Sequence, residues 1–128
     1  MDAQAPDDIS SFDDAMAAYA RLTRLDPADP QPFYQMAVFC EEKVRKDAAL
    51  ASAQRADYLA AGVEAVDQAI ALRPDYFEAL VYKGLLLHQQ ARFETDPASR
   101  RTLVDEADRL QRQAIELRNQ RSGRPRRP

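Results

Sequence analysis

The sequence predicts an all-α fold: a stack of helical hairpins made of five antiparallel helices. Three observations lead there. Apolar residues recur at spacings of three and four, as in Leu59, Val63, Val66 and Ile70 and again in Phe77, Leu80, Gly84 and Leu87, which places them on one helix face. Alanine is abundant, glycines number three and β-branched residues are sparse, a balance that favours helix over sheet. A proline boundary also repeats, with Pro27 and Pro74 47 residues apart and Ala69 and Ala114 45 apart. Periods of this size mark repeated supersecondary units.

Residues 1–9 show no periodicity and carry Asp2, Asp7 and Asp8, so they read as a disordered acidic tail. Ser10 or Ser11 is placed to cap the first helix, with Asp13 and Asp14 in its electropositive first turn. Phe12, Ala15, Tyr19 and Leu22 form its apolar face, and Leu25, Asp26 and Pro27 close it.

Asp29 can cap the second helix, with Pro30 in its first turn. Phe33, Met36, Ala37, Cys40 and Val44 share one face. No Gly or Pro occurs from Phe33 to Ala61. The repeat nevertheless predicts a break over residues 47–52, because the second copy breaks at the matching place. The third helix is expected over 52–73. Pro74 ends it, since proline lacks an N–H and disfavours helical geometry at Arg73. Asp75 is positioned to cap or charge the fourth helix, expected over 76–93. Asp96 and Pro97 restart the chain into a fifth helix with Leu103, Ala107, Leu110, Ala114 and Leu117 on one face. One apolar stripe with a polar back suits the end of a stack. The helical domain thus covers 10–119. Residues 120–128, with four arginines and two prolines, are expected to form a disordered basic tail.

The net charge of −3 is too small to imply a polyanionic partner for the whole molecule. No apolar run approaches the roughly 20 residues of a membrane span. With no basic-then-apolar leader either, a cytoplasmic protein is the default expectation, and a mature exported domain the alternative. Cys40 is the only cysteine, so an internal disulfide is not available. Neither Cys40 nor His88, the only histidine, has a catalytic or metal-binding motif around it. Cys40 reads as core filler and His88 as a surface or groove side chain. Glu41-Glu42 and Asp13-Asp14 are adjacent in sequence and do not share a helix face. No catalysis, cofactor or metal is expected.

The repeated residues resemble the tetratricopeptide repeat, whose first helix carries W-x₂-L-G-x₂-Y and whose second carries A-x₃-F-x₂-A-x₄-P. Here the first helices offer Phe33, Met36, Ala37 and Cys40, then Leu80, Lys83, Gly84 and Leu87. The second helices offer Gly62, Val66, Ala69 and Pro74, then Ala107, Gln111, Ala114 and Asn119. Ala15, Tyr19, Leu22 and Pro27 match a second helix that lacks its partner. The resemblance covers 10–119 as two repeats and a leading half. It implies a right-handed superhelix in which Ala37, Gly84, Ala69 and Ala114 are close-packing points and Pro74 punctuates the repeats. A large residue at Gly84 is then expected to cost about 1–3 kcal/mol by overpacking. The period exceeds the family's 34 residues by 11 to 13, about three helical turns, so both arms of each hairpin should be long.

The resemblance also implies that the first helices line a concave groove for a peptide or partner helix. One step off the packing stripe, the lining positions are Gln31, Tyr34, Val38 and Glu41, then Glu78, Val81, Leu85 and His88, with Gln89 beside them. Such a groove is apolar in its middle and polar or acidic at its rim, which points to an apolar or basic partner segment. The Lys/Asn set with which some family members clamp a terminal carboxylate is missing. Two further readings come from other features. Gly123-Arg124-Pro125 resembles part of the AT-hook, which would give weak DNA binding through the tail. The unpaired first helix could leave Met16, Ala20 and Thr23 open to a second copy.

Overall fold

The computed structural model describes residues 9–123, and within them the chain is all helical: α1 (Ile9–Leu25), α2 (Pro30–Lys46), α3 (Ser52–Leu72), α4 (Phe77–Phe93) and α5 (Pro97–Arg121). Residues 1–8 of the expected acidic tail and 124–128 of the expected basic tail lie outside the described residues. Ile9, expected in that tail, opens α1, so Ser10 and Ser11 fall inside the helix instead of capping it, and Asp13 and Asp14 come after its first turn.

Local chemistry sets most boundaries. Asp29 accepts from the Gln31 N–H at 3.0 Å, with Pro30 opening α2. Asp96 accepts from the Ser99 N–H at 2.9 Å, with Pro97 opening α5. These bonds satisfy N–H groups that no intrahelical carbonyl reaches. The break between α2 and α3 falls at residues 47–51, inside the window that the repeat predicts. There the Asp47 N–H bonds back to the Lys43 carbonyl, and Gln54 reaches back to the Ala51 N–H at 3.1 Å.

Two expectations at helix ends are corrected. Asp75 does not cap α4. The N-cap is Tyr76, without a side-chain bond, because the turn that returns the Tyr76 N–H to the Arg73 carbonyl delays the helix by one residue. The Asp75 carbonyl instead accepts from Arg121 at 2.6 Å, tying the end of α5 to the start of α4. The C-terminal stretch is also helical for longer than expected. α5 continues through Gln120 and Arg121 and stops where Gly123 adopts φ 75°, a conformation open to glycine.

The helices pack mainly in chain order, α1 with α2, α2 with α3, α3 with α4 and α4 with α5, and α2 also meets α4. Each interior helix is shared by two neighbours. The second arms are the longer ones, 21 residues in α3 and 25 in α5 against 17 in α2 and α4. At the far tip Arg55 of α3 lies 3.7 Å over the Phe93 ring of α4.

The core has two cells. One gathers Ala37, Val44, Leu59, Val66, Ala69, Ala79 and Leu86 between α2, α3 and α4. The other gathers Leu80, Leu87, Ala107, Leu110 and Ala114 between α4 and α5. Val63 and Ile70 of α3 pack against both. Ala37, Ala69 and Ala114 are at most 3% exposed, as close-packing points must be. Gly84 is buried against α5 with room for a methyl group. A Cβ built there would meet only the Ala107 carbonyl oxygen, at an ordinary 3.8 Å. The tight glycine is Gly62, where a Cβ would come within 2.9 Å of the Leu86 side chain and 3.1 Å of Cys40. α1 is held by Tyr19 against Phe39 and by Phe12 edge-on to Tyr58 of α3. Met16, Ala20 and Thr23 are half-buried, and Leu25 is 80% exposed.

Candidate partner-binding groove

The residues one step off the packing stripe separate into two sets with different surroundings. The α2 set is taken up within the chain. Tyr34 packs against Tyr76 at 5.2 Å and edge-on to Tyr82 at 5.6 Å. Burial, followed by the charges that Tyr82, Tyr76 and Glu78 can carry, pushes the Tyr34 hydroxyl up to about 12. Val38 is half-buried. Glu41 was expected at an acidic rim and is instead 3% exposed. Its carboxylate accepts from Gln89 Nε2 of α4 at 2.6 Å and from Arg45 Nε at 3.1 Å. The reason is packing order: α4 lies across the hairpin of α2 and α3 and covers that stretch. Gln31 remains exposed at the start of α2.

The α4 set faces outward and meets α5. Val81, Gly84, Leu85 and His88 form one wall of a groove of about 380 Å³. Gln111, Ala114, Ile115 and Arg118 of α5 form the other. Its floor is small because Gly84 and Ala114 carry little side chain. Its lips are apolar, with Leu85 42% and Ile115 39% exposed. Glu78 is exposed near the start of α4. Of the residues expected to line a groove, the structure thus groups Val81, Leu85 and His88 and separates them from Tyr34, Val38 and Glu41.

The α5 wall was not anticipated. Ile115 stands one position beyond Ala114, just off the stripe of Leu103, Ala107, Leu110, Ala114 and Leu117. Ile115 and Val104, apolar residues outside that stripe and eleven apart, were the available signal.

A second cleft, about 720 Å³, opens at the hairpin tips between Arg55, Phe93, Glu94, Ser99 and Thr102. Among the described residues no three His, Cys, Asp or Glu side chains are grouped as metal ligands, and no helix is long and apolar enough to cross a membrane. Cys40 is buried, and burial pushes its thiol up to about 11. The chain matches no protein-family model, no curated protein and no solved structure.

Proposed function

We propose that this chain is a tetratricopeptide-like interaction or scaffold module, acting by binding and not by catalysis, and that the groove between α4 and α5 receives a peptide or helix of another protein. A cytoplasmic setting belongs to the same reading. The observation that carries it is the groove itself: Leu85 and Ile115 stand exposed on either side of a floor made by Gly84 and Ala114. Apolar lips over a narrow floor gain free energy when a partner side chain excludes water from them. The test is a pull-down with the wild-type chain and with Leu85→Asp/Ile115→Asp. Both positions are exposed, so circular dichroism should be unchanged. Partners lost from the variant support the reading, and partners kept equally by both overturn it.

Self-assembly is a second reading, favoured by the exposure of Leu22 (45%) and Leu25 (80%) on α1. Light scattering of the wild type and of Leu22→Glu/Leu25→Glu tests it, and a monomer in both cases ends it. Weak DNA binding through the tail, residues 120–128, is a third reading, and its Arg124 and Pro125 lie outside the described residues. Deleting 120–128 and measuring salt-dependent binding to A·T-rich duplex decides it.

A further inference from the structure

We propose that the groove between α4 and α5 takes an amphipathic α-helix of a partner protein that presents carboxylates at two fixed positions, docked as α4 docks on α2 and α3. This rests on reading the groove as a binding site, and adds the occupant's shape and charge.

The shape comes from the repeat. A shift of 47 carries α2 onto α4, Ala37 onto Gly84. A shift of 45 carries α3 onto α5, Ala69 onto Ala114. Under these shifts Tyr34, Val38 and Glu41 become Val81, Leu85 and His88, while Val66 and Ile70 become Gln111 and Ile115. In the first pair those positions are covered by a helix: Tyr82 meets Tyr34, Gln89 meets Glu41, and Leu86 sits over Gly62. In the second pair the equivalent positions line the open groove. The same backbone arrangement is therefore filled by a helix once and bare once.

The charge comes from what differs between the pairs. The first pair presents acids to its helix, Glu41 to Gln89 at 2.6 Å and Asp67 to Lys83 at 2.8 Å. Their equivalents in the second pair are His88 and Arg112. Arg118 adds a guanidinium at the lip. A helix seated in the second pair in the register of α4 therefore meets donors and cations at the positions of Lys83 and Gln89, six residues apart. Carboxylates belong there, and a lysine at the position of Lys83 would face Arg112. Acids are not favoured throughout, because Asp108 stands where α3 has Val63, which packs against the cluster that holds Leu80 and Leu87. Glu78 is a further acid, near the start of α4. The apolar or basic partner expected from the sequence drew its acidic rim from Glu41 and Glu78; Glu41 is buried and paired, and Glu78 alone remains exposed.

The test uses the full chain and two labelled peptides copied from residues 76–93. Both carry Leu80→Gln and Leu87→Lys, which makes the outward face polar and supplies a lysine as counter-charge to Asp108. One keeps Lys83 and Gln89, and the other has Lys83→Glu and Gln89→Glu. Fluorescence anisotropy should show the acidic peptide binding about fivefold or more tightly, the scale of one or two partly exposed ion pairs. This preference runs against the net charge of −3 on the chain. It should shrink as salt rises from about 0.05 to 1 M, reverse with Arg112→Glu/His88→Glu, and vanish with all binding in Ile115→Asp. Equal binding of the two peptides overturns the charge assignment and leaves the groove reading standing. No binding of either overturns both. Self-association of the unliganded chain that Ile115→Asp abolishes would make a second copy the occupant, and overturns the proposal as well.

Discussion

Gln89 Nε2 donates to the Glu41 carboxylate at 2.6 Å across 48 residues of sequence. That bond joins α4 to α2 without passing through α3. Arg45 shares the carboxylate from one turn further along α2. A carboxylate so deeply buried is stable only while its donors remain. Gln89→Ala should therefore destabilise the fold by about 1.5–3 kcal/mol, the range for a hydrogen bond to a charged group. Urea denaturation measures it. Glu41→Leu/Gln89→Leu should cost less than the two single changes together, because the orphaned carboxylate is gone.

The two helical glycines of the core should behave in opposite ways. At Gly84 a Cβ has room, so Gly84→Ala should raise stability by about 1 kcal/mol, the helix-propensity difference. At Gly62 the space is taken by Leu86 and Cys40, and Gly62→Leu should lower stability by about 1–3 kcal/mol. Thermal melts of the two variants check both signs.

Alkaline pH should unfold the chain through its buried weak acids. The Cys40 thiol is raised from 9.0 to about 11 and the Tyr34 hydroxyl from 10.0 to about 12, both mainly by burial. The unfolded chain loses these protons at lower pH than the folded one. Their contribution is complete below about pH 9 and is lost progressively between about 9 and 12. Urea midpoints at pH 8, 10 and 11 should fall in that order. Thiol reagents at pH 8 should react with Cys40 only as fast as the protein opens.

Asp29 holds the first turn of α2 through the Gln31 N–H. Asp29→Ala should cost about 1 kcal/mol. Asp29→Ser should recover most of it, since a hydroxyl can accept the same bond. Paired denaturation curves separate the cap from any general effect of removing charge.

The helix boundaries were legible in the sequence wherever an Asp-Pro pair or a repeated interval marked them. Asp29-Pro30 and Asp96-Pro97 state their chemistry locally, and the break after Lys46 follows from periodicity alone. The end of α5 was less legible, because arginine and glutamine suit a helix as well as a tail and only Gly123 stops it. Periodicity placed Tyr34, Glu41, Val81 and Leu85 off the packing stripe of their own helices. It could not tell which of them a third helix would cover, since that depends on how far α4 reaches over α2. Gly84 read as a close-packing point and Gly62 only as a match to the second-helix motif, and the tightness at Gly62 depends on where Leu86 of α4 falls.

α4 is the lid of one helix pair and the wall of the next. Its Leu86 face closes the first core cell while its Leu80 and Leu87 face builds the second. Local opening of α4 must therefore expose both cells at once, so amides in α2 through α5 should exchange with solvent as one cooperative unit. α1, held from one side, should exchange by a separate and cheaper opening. A ligand gripping Leu85 and Ile115 would then slow exchange as far away as Glu41, a residue it never touches, and leave the rate in α1 unchanged.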